Sequence, residues 1–209
     1  MITDVPSVLA AAKVWRLASR TYATEIDEPF YRALQRLATA PWLREGGFAP
    51  LDPDSAMDDA QLLTAFAVEY CRLFIGPDPV CPPYGSLRQG GAYLGGRALR
   101  FVDSFLDRYN LRVDLPVDAP ILTNDHISVA FSLLDKLYTT AAGHAATPLP
   151  PHEAAAAARR LLDEYLRNWA PQFLDDVEVN ARQTPYRNIA RLTALVLTQN
   201  PPIQQMAKY

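Results

Sequence analysis

The sequence predicts an all-α fold: seven or more helices packed as a single globular, bundle-like domain. Three observations point there. Apolar residues recur at three- and four-residue steps along most of the chain, and no stretch alternates at period two for long enough to require a sheet. The breaks between periodic segments fall at Pro and Gly, which interrupt helices for backbone reasons. A chain of 209 residues can bury a substantial core, and no internal repeat divides it.

The first helix presents Val8, Ala11, Trp15, Ala18 and Tyr22 on one face, with Ser7 as the expected N-cap. The second carries Phe30, Leu34, Leu37 and Ala38, with Pro29 in its first turn and Pro41 as its stop. A Pro/Asp-rich loop over 50–55 leads to Ser55-Ala56-Met57-Asp58, which reads as a capping box with Asp in place of Glu or Gln. Leu62, Leu63, Phe66, Tyr70, Leu73 and Phe74 then form one stripe that stops at Gly76-Pro77, and Cys71 reads as a small core residue. Gly85, Gly90, Gly91, Gly95 and Gly96 punctuate a connector, followed by a helix with Ala98, Phe101, Val102, Phe105 and Tyr109. Leu115-Pro116 to Ala119-Pro120 is the expected hinge between sub-halves 1–115 and 121–209, because both prolines exclude helix. Asp125 is expected in the first turn of the next helix, complementing its dipole, with Ile127, Ala130, Phe131, Leu134, Leu137 and Tyr138 buried. After an Ala/Gly/Pro-rich linker over 141–150, Pro151 opens a helix with Leu161, Leu162, Tyr165 and Trp169. Pro171 is expected to interrupt it before Phe173, Leu174 and Val177, and Thr184-Pro185 starts a last helix with Ile189, Ala190, Thr193, Val196 and Leu197.

Several function classes recede. The net charge is −3 and no Lys/Arg cluster interrupts it, so nucleic acid is not an expected partner. No apolar run approaches the roughly 18–20 residues of an integral membrane segment, and Met-Ile-Thr-Asp-Val-Pro does not read as a secretory signal. Cys71 and Cys81 are too few for a disulfide framework, so the expected location is cytoplasmic with both thiols reduced. His126 beside Asp125 suggests a base and its orienter, but helical neighbours point about 100° apart. The other histidines, His144 and His152, fall at a linker, and no HExxH, phosphate-loop or Gly-x-Ser-x-Gly pattern occurs. Neither metal nor cofactor is expected, and an enzyme using His126 is the minor alternative.

Recognition is better represented. Tyr70, Phe74, Tyr84 and Tyr93 surround a Pro-Pro loop, and aromatics on a rigid frame give contact area at low entropic cost. Two segments carry a resemblance. Tyr70, Leu73, Phe74, Gly76 and Pro77, then Pro82, Pro83, Tyr84 and Ser86, match a helix ending Tyr-x-x-Leu-Phe-x-Gly-Pro and a Pro-Pro-aromatic-x-Ser loop. Asp125, His126 and Ile127 match an Asp-His-Ile helix opening, and Trp169, Pro171, Phe173, Tyr186 and the Ile189-Ala190-x-Leu192-Thr193 helix match a closing segment. Together, over about residues 55–198, these resemble the TorD/DmsD family of molybdoenzyme maturation chaperones. One departure is that the family's Glu-Pro ahead of Asp-His is Leu122-Thr123 here.

The resemblance implies a cytoplasmic chaperone that binds the twin-arginine leader, or the apo form, of a molybdopterin oxidoreductase subunit. It would hold the client until cofactor insertion and prevent premature Tat export. The alternative is assembly of a leaderless molybdoenzyme of the nitrate reductase type. The leader site is expected at Tyr70, Leu73, Phe74, Pro82, Pro83, Tyr84, Ser86, Asp125 and His126, with Asp125 supplying charge to a leader arginine. Monomer and domain-swapped dimer are the two expected states.

Overall fold

A computed structural model describes residues 5–39 and 57–199, and among these the chain is helical without strands. The helices run α1 (Val5–Ala23), α2 (Glu28–Ala38), α3 (Asp59–Tyr70), the short α4 (Gly85–Arg88), α5 (Gly96–Tyr109), α6 (Ile127–Ala141), α7 (Pro151–Glu164), α8 (Ala170–Asn180) and α9 (Thr184–Gln199). A π-helical turn, Cys71–Ile75, extends α3, and a 3₁₀ turn, Leu166–Asn168, separates α7 from α8. No helix among them is long and apolar enough to cross a membrane.

Local chemistry sets the ends. Asp27 caps α2 by accepting from the Phe30 N–H at 2.9 Å, with Pro29 in the first turn. A complete capping box opens α3, but its members are Asp58 and Gln61 rather than Ser55 and Asp58. Ser55, the 50–55 loop and the Pro41 stop lie outside the described residues. Ser7 is not a cap, since α1 already runs from Val5. Pro171 does not interrupt a helix. The break falls earlier, where Tyr165 leaves helical geometry, and Pro171 sits in the first turn of α8, where its missing N–H costs nothing.

α1 packs chiefly along α6 and also meets α9, α6 packs on α7, and α8 on α9. Between them lies a lattice of buried rings. Trp15 stacks on Phe131 at 5.3 Å, Tyr22 meets Phe74 and Phe173 edge-on at 5.5 and 5.3 Å, and Phe74 meets Tyr186 at 5.8 Å. The first, third, sixth, eighth and ninth helical segments therefore share one core rather than stacking as independent pairs. Glu69, almost fully buried, adds a polar tie. It accepts both arms of Arg72 at 2.8 Å and the Arg182 N–H at 2.5 Å, fastening the end of α3 to the α8–α9 corner. Cys71 is exposed on the solvent side of the stripe, and Cys81 is the buried thiol.

Candidate functional site

The loop over 82–86 and the start of α6 lie side by side, joined by an isolated antiparallel bridge between Tyr84 and His126. The Gly85 N–H donates to the Asp125 carbonyl at 3.0 Å and the Ile127 N–H donates to the Pro83 carbonyl at 2.8 Å. The Asp125 carboxylate completes the join. One oxygen accepts the Ser86 N–H at 2.8 Å and the other the Thr123 hydroxyl at 2.5 Å. From the far side the Tyr165 hydroxyl donates to the Asp125 carbonyl at 2.8 Å, while its ring stacks on Phe101 at 5.4 Å. A Cβ on Gly85 would collide with that hydroxyl, so glycine is required there by close approach. This latch fastens two segments about forty positions apart in sequence.

His126, not Asp125, is the N-cap of α6. Its extended backbone (φ −66°, ψ 139°) lets Nδ1 accept the Ser128 N–H at 3.2 Å, with the Ser128 hydroxyl at 2.6 Å from the same nitrogen. Asp125 thus stands one residue before the cap and turns its carboxylate to the loop instead of the helix dipole. The His126 ring is edge-on to Tyr84 at 4.8 Å. Burial pushes the His126 pKa down to about 3, and the opposing pull of Asp125 does not offset it. A ring 1 % exposed has no open route to a substrate, and a pKa near 3 makes it a weak proton acceptor, so His126 is not placed to act as a general base.

The nine sequence-selected residues divide. Pro83, Tyr84, Ser86, Asp125 and His126 meet in the latch, with Pro82 half-buried beside it. Tyr84 is 8 % exposed, and its hydroxyl accepts the Leu122 N–H at 3.1 Å. Ser86 contributes its N–H rather than its hydroxyl. Tyr70, Leu73 and Phe74 belong to the core, where the Tyr70 hydroxyl donates to the Tyr22 carbonyl at 3.2 Å. Tyr93 does not join these aromatics and is 86 % exposed. Both Asp125 oxygens are engaged internally and the residue is fully buried, so in this conformation it offers no charge to an incoming arginine.

An open acidic cleft lies on the other side of Tyr70. Its volume is about 590 Å³, and its walls come from the end of α1, the π-helical turn and the connector 116–120. Glu25, Asp27 and Asp118 supply carboxylates, and Ile75, Pro116 and Pro120 supply apolar surface in front of the buried Tyr70. Arg20 pairs with Asp27 at 2.7 Å, whereas neither Glu25 nor Asp118 forms an ion pair among the described residues. Two negative charges therefore remain in excess. These residues are scattered over nearly a hundred positions, and the only sequence signals near them were the Gly76-Pro77 stop and the Pro116–Pro120 connector.

A buried latch and an open charged cleft suit a binding role, and no metal-ligand cluster occurs among the described residues. The comparisons with known proteins agree. A family model described as nitrate reductase delta subunit matches residues 24–175, and the chain belongs to that family of redox enzyme maturation chaperones, the group to which the TorD/DmsD resemblance points. Its relatives are chaperones, not catalysts. Chaperone protein YcdY of Escherichia coli strain K12 is 29 % identical over 160 residues, spanning 72 % of this chain and 74 % of its own. The crystal structure of a candidate redox enzyme maturation protein from Archaeoglobus fulgidus has a TM-score of 0.54 at 21 % identity, covering 90 % of this chain and 93 % of that one. That second likeness is one of fold.

Proposed function

We propose that this chaperone binds the N-terminal leader of a molybdopterin oxidoreductase subunit through the acidic cleft beside Tyr70. It works in the cytoplasm, before export, and holds the client until its cofactor is in place. The observation that carries the reading is the match of charge and shape. Two excess negative charges beside exposed Ile75 and two prolines suit a pair of arginines followed by an apolar stretch. Glu25 and Asp118 receive the guanidinium groups, and Ile75 with Pro116 and Pro120 takes the first apolar residues. The latch residues Pro83, Tyr84, Ser86, Asp125 and His126 hold the frame from behind and touch the leader only if the latch opens.

Calorimetry with a synthetic twin-arginine leader tests this. Glu25→Gln and Asp118→Asn should each weaken binding by about 0.5–1 kcal/mol, as expected for partly solvated charge pairs, with folding intact. Unchanged affinity in the double variant would remove the cleft from leader binding. The family description favours a second reading, assembly of a leaderless nitrate reductase-type enzyme. In that case the leader peptide would not bind, and purified apo-subunit lacking any leader would.

A further inference from the structure

A second cleft, of opposite charge, runs along α5 where it faces α7. It has a volume of about 540 Å³ and is lined by Arg97, Arg100, Phe101, Phe105, Arg108 and Arg160. Arg97, Arg100 and Arg108 are exposed and form no ion pair with a described residue, while Arg160 pairs with Glu164 at 3.0 Å. This basic surface runs against a net charge of −3. Its floor is fixed: Phe101 stacks on Tyr165 with the ring planes 11° apart, and Phe105 packs on Tyr109 at 4.8 Å.

We propose that this cleft docks an extended acidic segment of the client subunit, anchored by an aromatic side chain, at a site separate from the leader cleft. The proposal rests on the chaperone reading for its partner. Spacing argues for a peptide. Arg97 and Arg108 stand eleven residues apart on one helix face, about 16 Å at 1.5 Å per residue. A phosphate group needs donors that converge on one point, whereas this row is strung along the length of about five extended residues. Phe101 and Phe105 lie in the middle of the row, where an anchoring ring can rest between flanking carboxylates. Because the arginines are solvated at the rim, they act chiefly on association rate and on salt dependence.

A fluorescein-labelled dodecapeptide of Asp and Glu with a central Phe, followed by anisotropy, tests the assignment on the full chain. Saturable binding is expected, weaker by about tenfold in Arg97→Gln/Arg100→Gln and weaker again as salt rises from about 50 to 200 mM. Replacing the central Phe by Ser should weaken it further, and the same peptide with Lys for its acids should not bind. Circular dichroism confirms that the double variant stays folded. No binding, equal binding by the double variant, or displacement of the peptide by ATP at lower concentration than the peptide itself requires would overturn the proposal, the last by assigning the cleft to a nucleotide. Twin-arginine leader binding should be unchanged in Arg97→Gln/Arg100→Gln, and a parallel loss would merge the two clefts and defeat the proposal. Wild-type protein that binds the acidic peptide but no leader would overturn the leader reading alone.

Discussion

Because the His126 ring is buried and neutral, acid acts on the latch through the unfolded chain. Unfolded histidine takes up a proton as pH falls through about 6.5, while the folded ring resists until about 3. The unfolded state therefore binds more protons in that window, and stability must fall as pH drops below about 6.5. Each pH unit is worth at most about 1.4 kcal/mol, and half the unfolded histidine is already protonated at pH 6.5, so urea unfolding should show about 1.6 kcal/mol lost between pH 6.5 and 5. His126→Asn keeps a cap and removes the titration, so its stability should be nearly flat over the same interval. Glu69 enters lower. Burial opposes its charge, but Arg72 and the Arg182 N–H prevail and hold its pKa below the usual carboxylate value, so its contribution is lost only as pH falls below about 4.5. Asp125→Asn separates a latch role from a capping one. Asparagine could cap a helix, but here its NH₂ would either face the Ser86 N–H or make the Thr123 hydroxyl turn from donor to acceptor, and both bonds to a carboxylate would be lost. A cost of about 1–3 kcal/mol in unfolding free energy is expected, where a capping role alone would predict almost none.

Between elements, the contact that sets the latch is Gly85 against Tyr165. Gly85→Ala forces the Tyr165 hydroxyl aside, while Tyr165→Phe removes that hydroxyl and its bond to the Asp125 carbonyl. The two changes should couple. The double variant is expected to be more stable than the sum of the singles by about 1 kcal/mol, and strict additivity in urea titrations would refute the close approach. This relation also marks where sequence reading stops. The apolar stripes of α1, α3, α5 and α6 were legible because burial repeats at helical period, and Val8, Trp15, Phe66, Phe105 and Phe131 are all buried as that period requires. Helix ends were less so. Ser7, Ser55 and Asp125 have cap chemistry, yet Asp58 and His126 do the capping at α3 and α6, since any short polar residue near a boundary fits the same local rule. Tyr165 looked like one more stripe residue. Its reach to Asp125 depends on α5, α6 and α7 meeting, which no local pattern encodes. The acidic cleft was hidden for the same reason.

At the scale of the molecule, the connector between α5 and α6 decides whether α1 packs on its own α6 or on a second chain's. It is tied down by Lys136, whose ammonium donates to the Arg112 carbonyl at 2.7 Å and pairs with Asp114 at 2.8 Å. α1 is held to α6 by Arg16 and Asp135 at 2.8 Å. A domain swap about Pro116–Pro120 would preserve the α1–α6 interface between chains while straining or releasing the Lys136 tie. Refolding at high concentration should therefore give some dimer, and more of it for Lys136→Ala, as read by light scattering. A single monomeric species for both proteins would exclude the swap. The unequal burial of the two thiols allows a second readout of exchange on unaltered protein. Burial pushes the Cys81 thiol up and closes it to reagents, while Cys71 stands in solvent. A maleimide dye should mark each native chain once, four residues from the Ile75 edge of the acidic cleft. Mixing donor-labelled with acceptor-labelled chains would then show by energy transfer whether partners are traded. The same single dye, left alone, should dim or brighten when a leader settles nearby.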